Sequence, residues 1–286
     1  MIAIVTDSTC DLPASLVAAY EFHIIPVHIF FDTEEFLDGV TIDAQSFYGR
    51  IAETGVIPTT SQPSVGEFCE FYRRLKDEGA DEIISMHVTG QLSGTVRSAE
   101  MAAREVADEV RVHVFDSAAG SAGLGYMAME AVTAAKAGQS ANEILALLRR
   151  IRESLTIVLT PLNLEFLQKS GRVSRLQGAI GALLNIKPII ELKDGMLEAT
   201  ERVRSRRKAL DRVLEITMSA HGSRPVNLAV VHAAAPEDAR VLLEKVETTF
   251  NCNQVFTTDL ALSVAVHLGP GTVGLVAYPA EVGVLT

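Results

Sequence analysis

Hydroxyl side chains crowd two short stretches of the chain. In PTTSQPS (58–64), Thr59, Thr60 and Ser61 stand between Pro58 and Pro63, and Ser64 follows. In GQLSG (90–94), Ser93 stands just ahead of a helical pattern. The two prolines exclude a helix or a central strand for the first stretch. It either turns the chain or holds hydroxyls out to a ligand. The second stretch approaches the nucleophile elbow of serine hydrolases, but the elbow reads G-x-S-x-G and this reads G-x-x-S-G. No segment offers an obvious oxyanion motif. Ser93 is either a plain helix N-cap or a hydroxyl working with free backbone N–H groups to hold an anion.

Other chemistry-bearing residues are weaker signals. Asp7 and Asp11, four apart in TDSTCD (6–11), have the residue types of a metal loop; the favoured reading is that Asp11 caps the next helix while Asp7 tethers the loop. GLGYMA (123–128) fits G-x-G-x-x-A, yet the position expected to carry a ribose-binding acid is Glu143, in the first turn of another helix. GPGTVG (269–274) leads into a strand. Tight backbone turns are the simpler reading of both glycine patterns. The seven histidines show no metal-ligand spacing; His267 draws notice because it directly precedes the second glycine pattern. RVRSRRK (202–208) has five cations in seven residues. Begun as a strand, it would turn Arg202, Arg204 and Arg206 to one side, either a solvated face or a dock for an acidic partner or phosphate.

The elements that must position these residues alternate. IAIV (2–5), HIIPVHIFF (23–31), EIISMHV (82–88) and VRVHVFD (110–116) read as strands. Helices are expected over 11–20, 43–53, from Ser64 (with Glu67 at capping-box spacing), over 95–108, and twice over 123–152. Such alternation predicts a parallel sheet covered on both faces. From LTIVLTP (155–161) onward the signals mix. A hairpin at KDGM (193–196), helices near 206–220 and 236–248, and strands VNLAVVH and VGLVAYP predict a mixed sheet. The boundary is expected near residue 153, dividing the chain into 1–153 and 154–286.

Composition bounds the rest. The chain has 286 residues, 48% apolar and 21% charged, which is ample for a packed core. A net charge of −11 argues against nucleic acid. Three scattered cysteines, Cys10, Cys69 and Cys252, suggest neither a disulfide framework nor a thiolate zinc site and fit a reducing cytoplasm. No signal peptide is read. The longest apolar stretch, Gly178–Ile190, is broken by Asn185, Lys187 and Pro188 and is too short and polar to span a bilayer.

Taken in order, VTDSTCDLP (5–13), PTTSQPS (58–64), GQLSGTVRSA (90–99), FDSAAGSAGLG (115–125), LQKSGRVS (167–174), IKPII (186–190), ERVRSRRKAL (201–210) and HLGPGTVG (267–274) resemble the DegV family of bacterial fatty-acid-binding proteins. The resemblance runs almost the whole length. It implies a two-domain α/β fold, with an N-terminal parallel-sheet domain and a C-terminal mixed-sheet domain. It also implies a long-chain fatty acid, such as palmitate, buried near their interface. Thr60 and Ser93 match the positions that bind the carboxylate. Arg172 and His267 match the supporting polar network, with Ser61 beside Thr60. Arg204 matches a position that docks a kinase, which phosphorylates the bound carboxylate to an acyl phosphate. The family often has two glycines before the arginine; here Ser170 precedes Gly171.

The expectation is therefore a non-enzymatic carrier, the substrate-bearing subunit of a fatty acid kinase, with no cofactor and no metal. Two readings compete with it: an enzyme in its own right (a serine hydrolase or small phosphotransferase), and a purely regulatory ligand sensor.

Overall fold

The protein is described from a computed structural model covering residues 1–162, 164–172 and 186–285. The first part runs β1 (Ile2–Asp7), α1 (Ala14–Tyr20), β2 (His23–Ile25), β3 (His28–Phe31), β4 (Glu34–Leu37), α2 (Ala44–Thr54), β5 (Thr59–Ser61), α3 (Val65–Asp77), β6 (Glu82–His87), α4 (Thr95–Glu105), β7 (Arg111–Asp116), α5 (Ser121–Lys136) and α6 (Ala141–Ser154). The second runs β8 (Thr156–Thr160), α7 (Glu165–Ser170), β9 (Lys187–Lys193), β10 (Met196–Val203), α8 (Arg206–His221), β11 (Val226–His232), α9 (Pro236–Thr249), β12 (Cys252–Asp259), α10 (Leu262–Leu268) and β13 (Val273–Pro279).

The expected architecture is present. A parallel four-stranded sheet has the order β2-β1-β6-β7, and a mixed six-stranded sheet has the order β10-β9-β8-β13-β11-β12. Between the two sheets lies α5, thirteen of whose sixteen residues are buried. A helix apolar all round needs cover on all sides, and α5 gets it by packing on β1 and β6 in one sheet and on β11 and β13 in the other. The main core is therefore shared: Ile4, Met86 and Phe115 of the first sheet join Ile157, Val276 and Tyr278 of the second. The outer faces carry α3 and α4 on one side and α8 and α9 on the other.

Local chemistry sets the helix starts. Ser64 Oγ accepts from the Glu67 N–H (3.2 Å) while Glu67 Oε2 accepts from the Ser64 N–H (2.8 Å), the reciprocal capping box expected there. Glu143 plays the same part with Ser140 at α6, a cap and not a ribose ligand.

Several expectations are corrected. The strand over 23–31 is two strands. Pro26 has no N–H to offer a ladder, and the chain leaves the parallel sheet there. β3 then builds a separate three-stranded antiparallel sheet, β4-β3-β5. PTTSQPS supplies its edge strand, with Thr60 opposite Ile29, an allowed place for a strand between prolines. Asp11 does not cap α1, whose N-cap is Pro13 with no side-chain bond; it reaches α10 instead. Gly123 and Gly125 lie inside α5 and form no turn. A Cβ at either would come within 2.7 Å of Leu155 or Leu12, so the glycines serve close helix packing. Gly269 and Gly271, by contrast, do turn the chain, at φ +79° and +83°. Arg202, Arg204 and Arg206 share no face. The strand ends at Val203, and Arg206 turns inward to bond Asp238 (2.8 Å), the Thr160 carbonyl (2.9 Å) and the Gly271 carbonyl (2.6 Å).

Among the described residues no helix is long and apolar enough to cross a membrane. Most of the apolar stretch Gly178–Ile190 lies outside them.

Candidate functional site

The small sheet, the α4 start and α10 converge on one cavity. β5 carries Thr60, the middle of its three residues, inward, while Thr59 and Ser61 point out. Thr60 Oγ1 lies 3.1 Å from His267 Nε2, in the last turn of α10. Ser93 ends the turn that runs into α4. Its N–H donates to the Thr89 carbonyl (3.2 Å), and its hydroxyl lies 2.8 Å from Thr95 Oγ1. The next residue, Gly94, lies under the side chain of Gln62, whose amide would be 3.0 Å from any Cβ there. The loop after β5 and the loop before α4 thus pack directly on each other. Arg172, partly buried, donates to the Ser170 carbonyl (2.6 Å) and reaches the same space.

Thr60, Ser93, Arg172 and His267 all line this cavity. The same cavity is lined by the apolar side chains of Val27, Leu92, Ile157, Leu159, Leu192 and Leu197. The cavity volume is about 120 Å³. It adjoins a groove edged by Gln62, Gly90, Arg97, Glu100 and Asp116, which shares Val27, Thr60, Leu92, Ser93 and Arg172 with the cavity. The cavity thus joins a largely apolar lining to polar side chains, three of which, Thr60, Ser93 and Arg172, also face the groove.

The electrostatics of these polar side chains are distinctive. Burial, and then the neighbouring charge of Arg172, push His267 down to about 3. The imidazole is neutral at ordinary pH. Its Nδ1 is buried and has no hydrogen-bond partner among the described residues. Burial also pushes the Arg172 guanidinium down from its ordinary value. Hydroxyls, a neutral imidazole and a part-buried guanidinium suit a single anionic head group.

Two of the sequence candidates are not brought to the cavity. Ser61 is exposed, its hydroxyl donating to the Gln62 carbonyl (3.3 Å). Arg204 is exposed in the turn between β10 and α8. Arg206, two residues on, ties that turn to Gly271, four residues beyond His267. Sequence reasoning missed four further hydroxyls on the cavity wall: Thr9, Thr89, Ser121 and Ser263. The first three lie within or beside stretches that already stood out, TDSTCD, GQLSG and FDSAAGSAGLG.

A second polar array bears on the hydrolase reading. Ser85 Oγ lies 2.7 Å from His87 Nε2, and His87 Nδ1 lies 3.1 Å from Asp7 Oδ2. That is the bonding order of a catalytic triad. All three residues are 0% exposed, so no substrate reaches them. Asp7 also accepts from the Thr9 and Val88 N–H groups (3.0 and 2.9 Å), tethering the loop as expected. Burial raises its carboxyl, but His87, Thr9 and Val88 outweigh that and hold it below the ordinary value. No cluster of metal-ligating side chains occurs among the described residues.

A family model described as "Uncharacterised protein, DegV family" matches residues 1–280. The chain belongs to the DegV family. It is 35% identical over 281 residues to a DegV domain-containing protein of Deinococcus radiodurans, covering 97% of this chain and 98% of that one. A DegV family protein from Thermus thermophilus, described by its fatty acid binding, superposes with a TM-score of 0.91 at 34% identity, covering 97% of this chain and 99% of that chain. DegV of Bacillus subtilis, described as a fatty acid binding protein, superposes at 0.89 with 30% identity, covering 97% and 99%.

Proposed function

We propose that this DegV protein binds a long-chain fatty acid such as palmitate in the cavity, between an N-terminal domain 1–153 and a C-terminal domain 154–286. The observation that carries the reading is the cavity's lining: apolar Ile157, Leu159, Leu192 and Leu197 together with Thr60, Ser93, Arg172 and His267, of which Thr60, Ser93 and Arg172 also face the open groove. The binding of fatty acids by its Thermus and Bacillus relatives supports it. In this reading the Thr60 and Ser93 hydroxyls donate to the carboxylate, each bond to the charged group contributing ~1.5–3 kcal/mol. The neutral His267 and Arg172 complete the head-group environment. Burying about 14 methylenes at ~0.8 kcal/mol each contributes roughly 11 kcal/mol. Ordering the ligand opposes this by ~4–15 kcal/mol, so a preformed cavity is needed for a useful net affinity.

The open groove also fits presentation of the carboxylate to a partner kinase. A carboxylate oxygen would attack the terminal phosphorus of a nucleoside triphosphate, forming the acyl phosphate and releasing the diphosphate. In this role the protein needs no cofactor or metal, works in the cytoplasm, and docks its kinase through Arg204 with the exposed Arg207 and Lys208. The Arg206–Gly271 bond joins that basic turn to the chain just after His267, which supports its nearness to the head group. A hydrolase reading gains nothing from the geometry: Ser93 pairs with Thr95, and the Ser85 array is sealed.

Native mass spectrometry of the purified protein tests the binding claim. A retained mass that extracts as a fatty acid is expected. Protein that carries no lipid and takes up none from added palmitate would contradict it.

A further inference from the structure

The cavity's His267 depends on a short helix. α10 has seven residues, and helices so short are marginal without tertiary support. Its N-cap residue, Ala261, has no side-chain group to cap with. The orphan N–H groups are met from elsewhere in the chain. The Ala261 N–H donates to Asp11 Oδ1 (2.8 Å), Leu262 N–H to Asp38 Oδ1 (3.2 Å) and Ser263 N–H to Asp38 Oδ2 (3.2 Å). Ser263 adds its hydroxyl to Asp38 Oδ2 (2.5 Å). The two carboxyls are themselves held: Ser8 Oγ donates to Asp38 (2.9 Å) and Ser121 Oγ to Asp11 (2.5 Å).

Each carboxyl-bearing residue is only 4% exposed. A buried acid costs free energy unless its oxygens are bonded, so the arrangement must be complete to persist. Ser263 and His267 are four residues apart, hence on one face of α10, and both line the cavity. The far end of the helix is pinned as well, because Gly269 abuts the Phe166 ring, 2.6 Å from where a Cβ would lie.

We propose that Asp11 and Asp38 are positioning residues of the binding site. From the N-terminal part of the chain they hold the start of α10, and through it they set His267 against Thr60. Neither touches the ligand. Their effect on affinity passes through the imidazole, and for its affinity readout the proposal rests on the fatty-acid reading.

Asp38→Ala, and the milder Ser8→Ala that removes one donor to Asp38, test it in two measurements. In ligand-free protein, the imidazole proton–nitrogen NMR signals of His267 (assigned by their loss in His267→Gln) are expected to move in both variants, further in Asp38→Ala. Unmoved signals in folded protein overturn the proposal. In palmitate titrations, Asp38→Ala is expected to weaken binding about ten-fold in the wild-type background and about two-fold or less in His267→Gln, since members of one network are coupled. Equal losses in both backgrounds overturn it. Wild-type protein that fails to bind palmitate refutes the fatty-acid reading instead, and the ligand-free NMR measurement still decides the positioning role. If Asp38→Ala does not fold, Ser8→Ala carries both measurements.

Discussion

Two polar clusters in this protein are built from the same kinds of side chain and do different things. The Asp7–His87–Ser85 array, extended by the Tyr72 hydroxyl (2.9 Å to Ser85), has triad connectivity and is fully sealed. The Thr60–His267 pair with Ser93 has no triad connectivity, lies on a cavity, and leaves His267 Nδ1 without a partner among the described residues. In the sealed array the polar groups bond one another and fix the strand ends, as buried networks do when satisfied. In the cavity, bonding capacity is left over. Access to a cavity, not a familiar order of Ser, His and Asp, distinguishes the proposed ligand site from the sealed array.

The largest effect that sharpens this contrast is on stability. Asp7→Ala strips partners from two N–H groups, the Thr9 hydroxyl and His87 at once. At ~1–3 kcal/mol for each buried group left unsatisfied, a loss of about 3 kcal/mol or more is expected in urea unfolding, larger than any loss of palmitate affinity per folded molecule. A mild stability loss with abolished binding would reverse the roles of the two clusters.

Arg206 and Arg204 offer a second contrast within the basic segment. Arg206→Ala removes an ion pair and two carbonyl bonds in a part-buried setting, and about 1–3 kcal/mol of stability should go with them. Arg204→Glu should leave stability and lipid content alone, because exposed ion pairs contribute only ~0–1 kcal/mol. If the proposed kinase docking holds, it should instead weaken association with a fatty acid kinase, and added salt should weaken that association too. Normal acyl-phosphate production by Arg204→Glu with a fatty acid kinase would remove that residue from the proposed docking surface.

The pH dependence separates the clusters more finely. His267, pushed down to about 3, should show no protonation by NMR between about pH 8 and pH 5 in the ligand-free protein. With its folded value depressed, its contribution to stability is complete above the unfolded value of about 6.5 and is lost as the pH falls below it. Burial, against the bonds from Ser121 and Ala261, raises Asp11 to about 8. Its contribution is complete below the unfolded value of about 3.9 and is lost as the pH rises toward 8. His267→Gln should flatten the acid limb of the stability profile, and Asp11→Asn the alkaline limb. An imidazole that titrates near its ordinary value would show that it is solvated.

The smallest expected effect is none at all. A serine-directed fluorophosphonate should label neither Ser85, which it cannot reach, nor Ser93, whose hydroxyl pairs with Thr95. Stoichiometric labelling of either would restore the hydrolase reading.

Much of this was legible in the sequence, and the gaps have physical causes. Strand and helix alternation predicted both sheets because buried strands and amphipathic helices differ in period. The small antiparallel sheet was hidden because its strands have three or four residues and Pro26 interrupts an otherwise continuous apolar run. Thr60, Ser93, Arg172 and His267 were singled out together only through the family resemblance, since no local rule brings together residues 207 positions apart. Asp11 was assigned to the wrong helix for the same reason: a cap preference says that a carboxylate meets free N–H groups, not whose they are. Arg206 was grouped with its exposed neighbours because a charge run does not reveal which member turns inward.

The central claim is that Thr60 and Ser93 hold a fatty acid by its carboxylate. Calorimetric titration of palmitate into wild type and into the Thr60→Val/Ser93→Ala double variant tests it most directly. With ~1.5–3 kcal/mol for each bond to the charged head, the double variant should bind at least tens-fold more weakly while melting at nearly the same temperature. Equal palmitate affinity in a folded double variant would contradict the account.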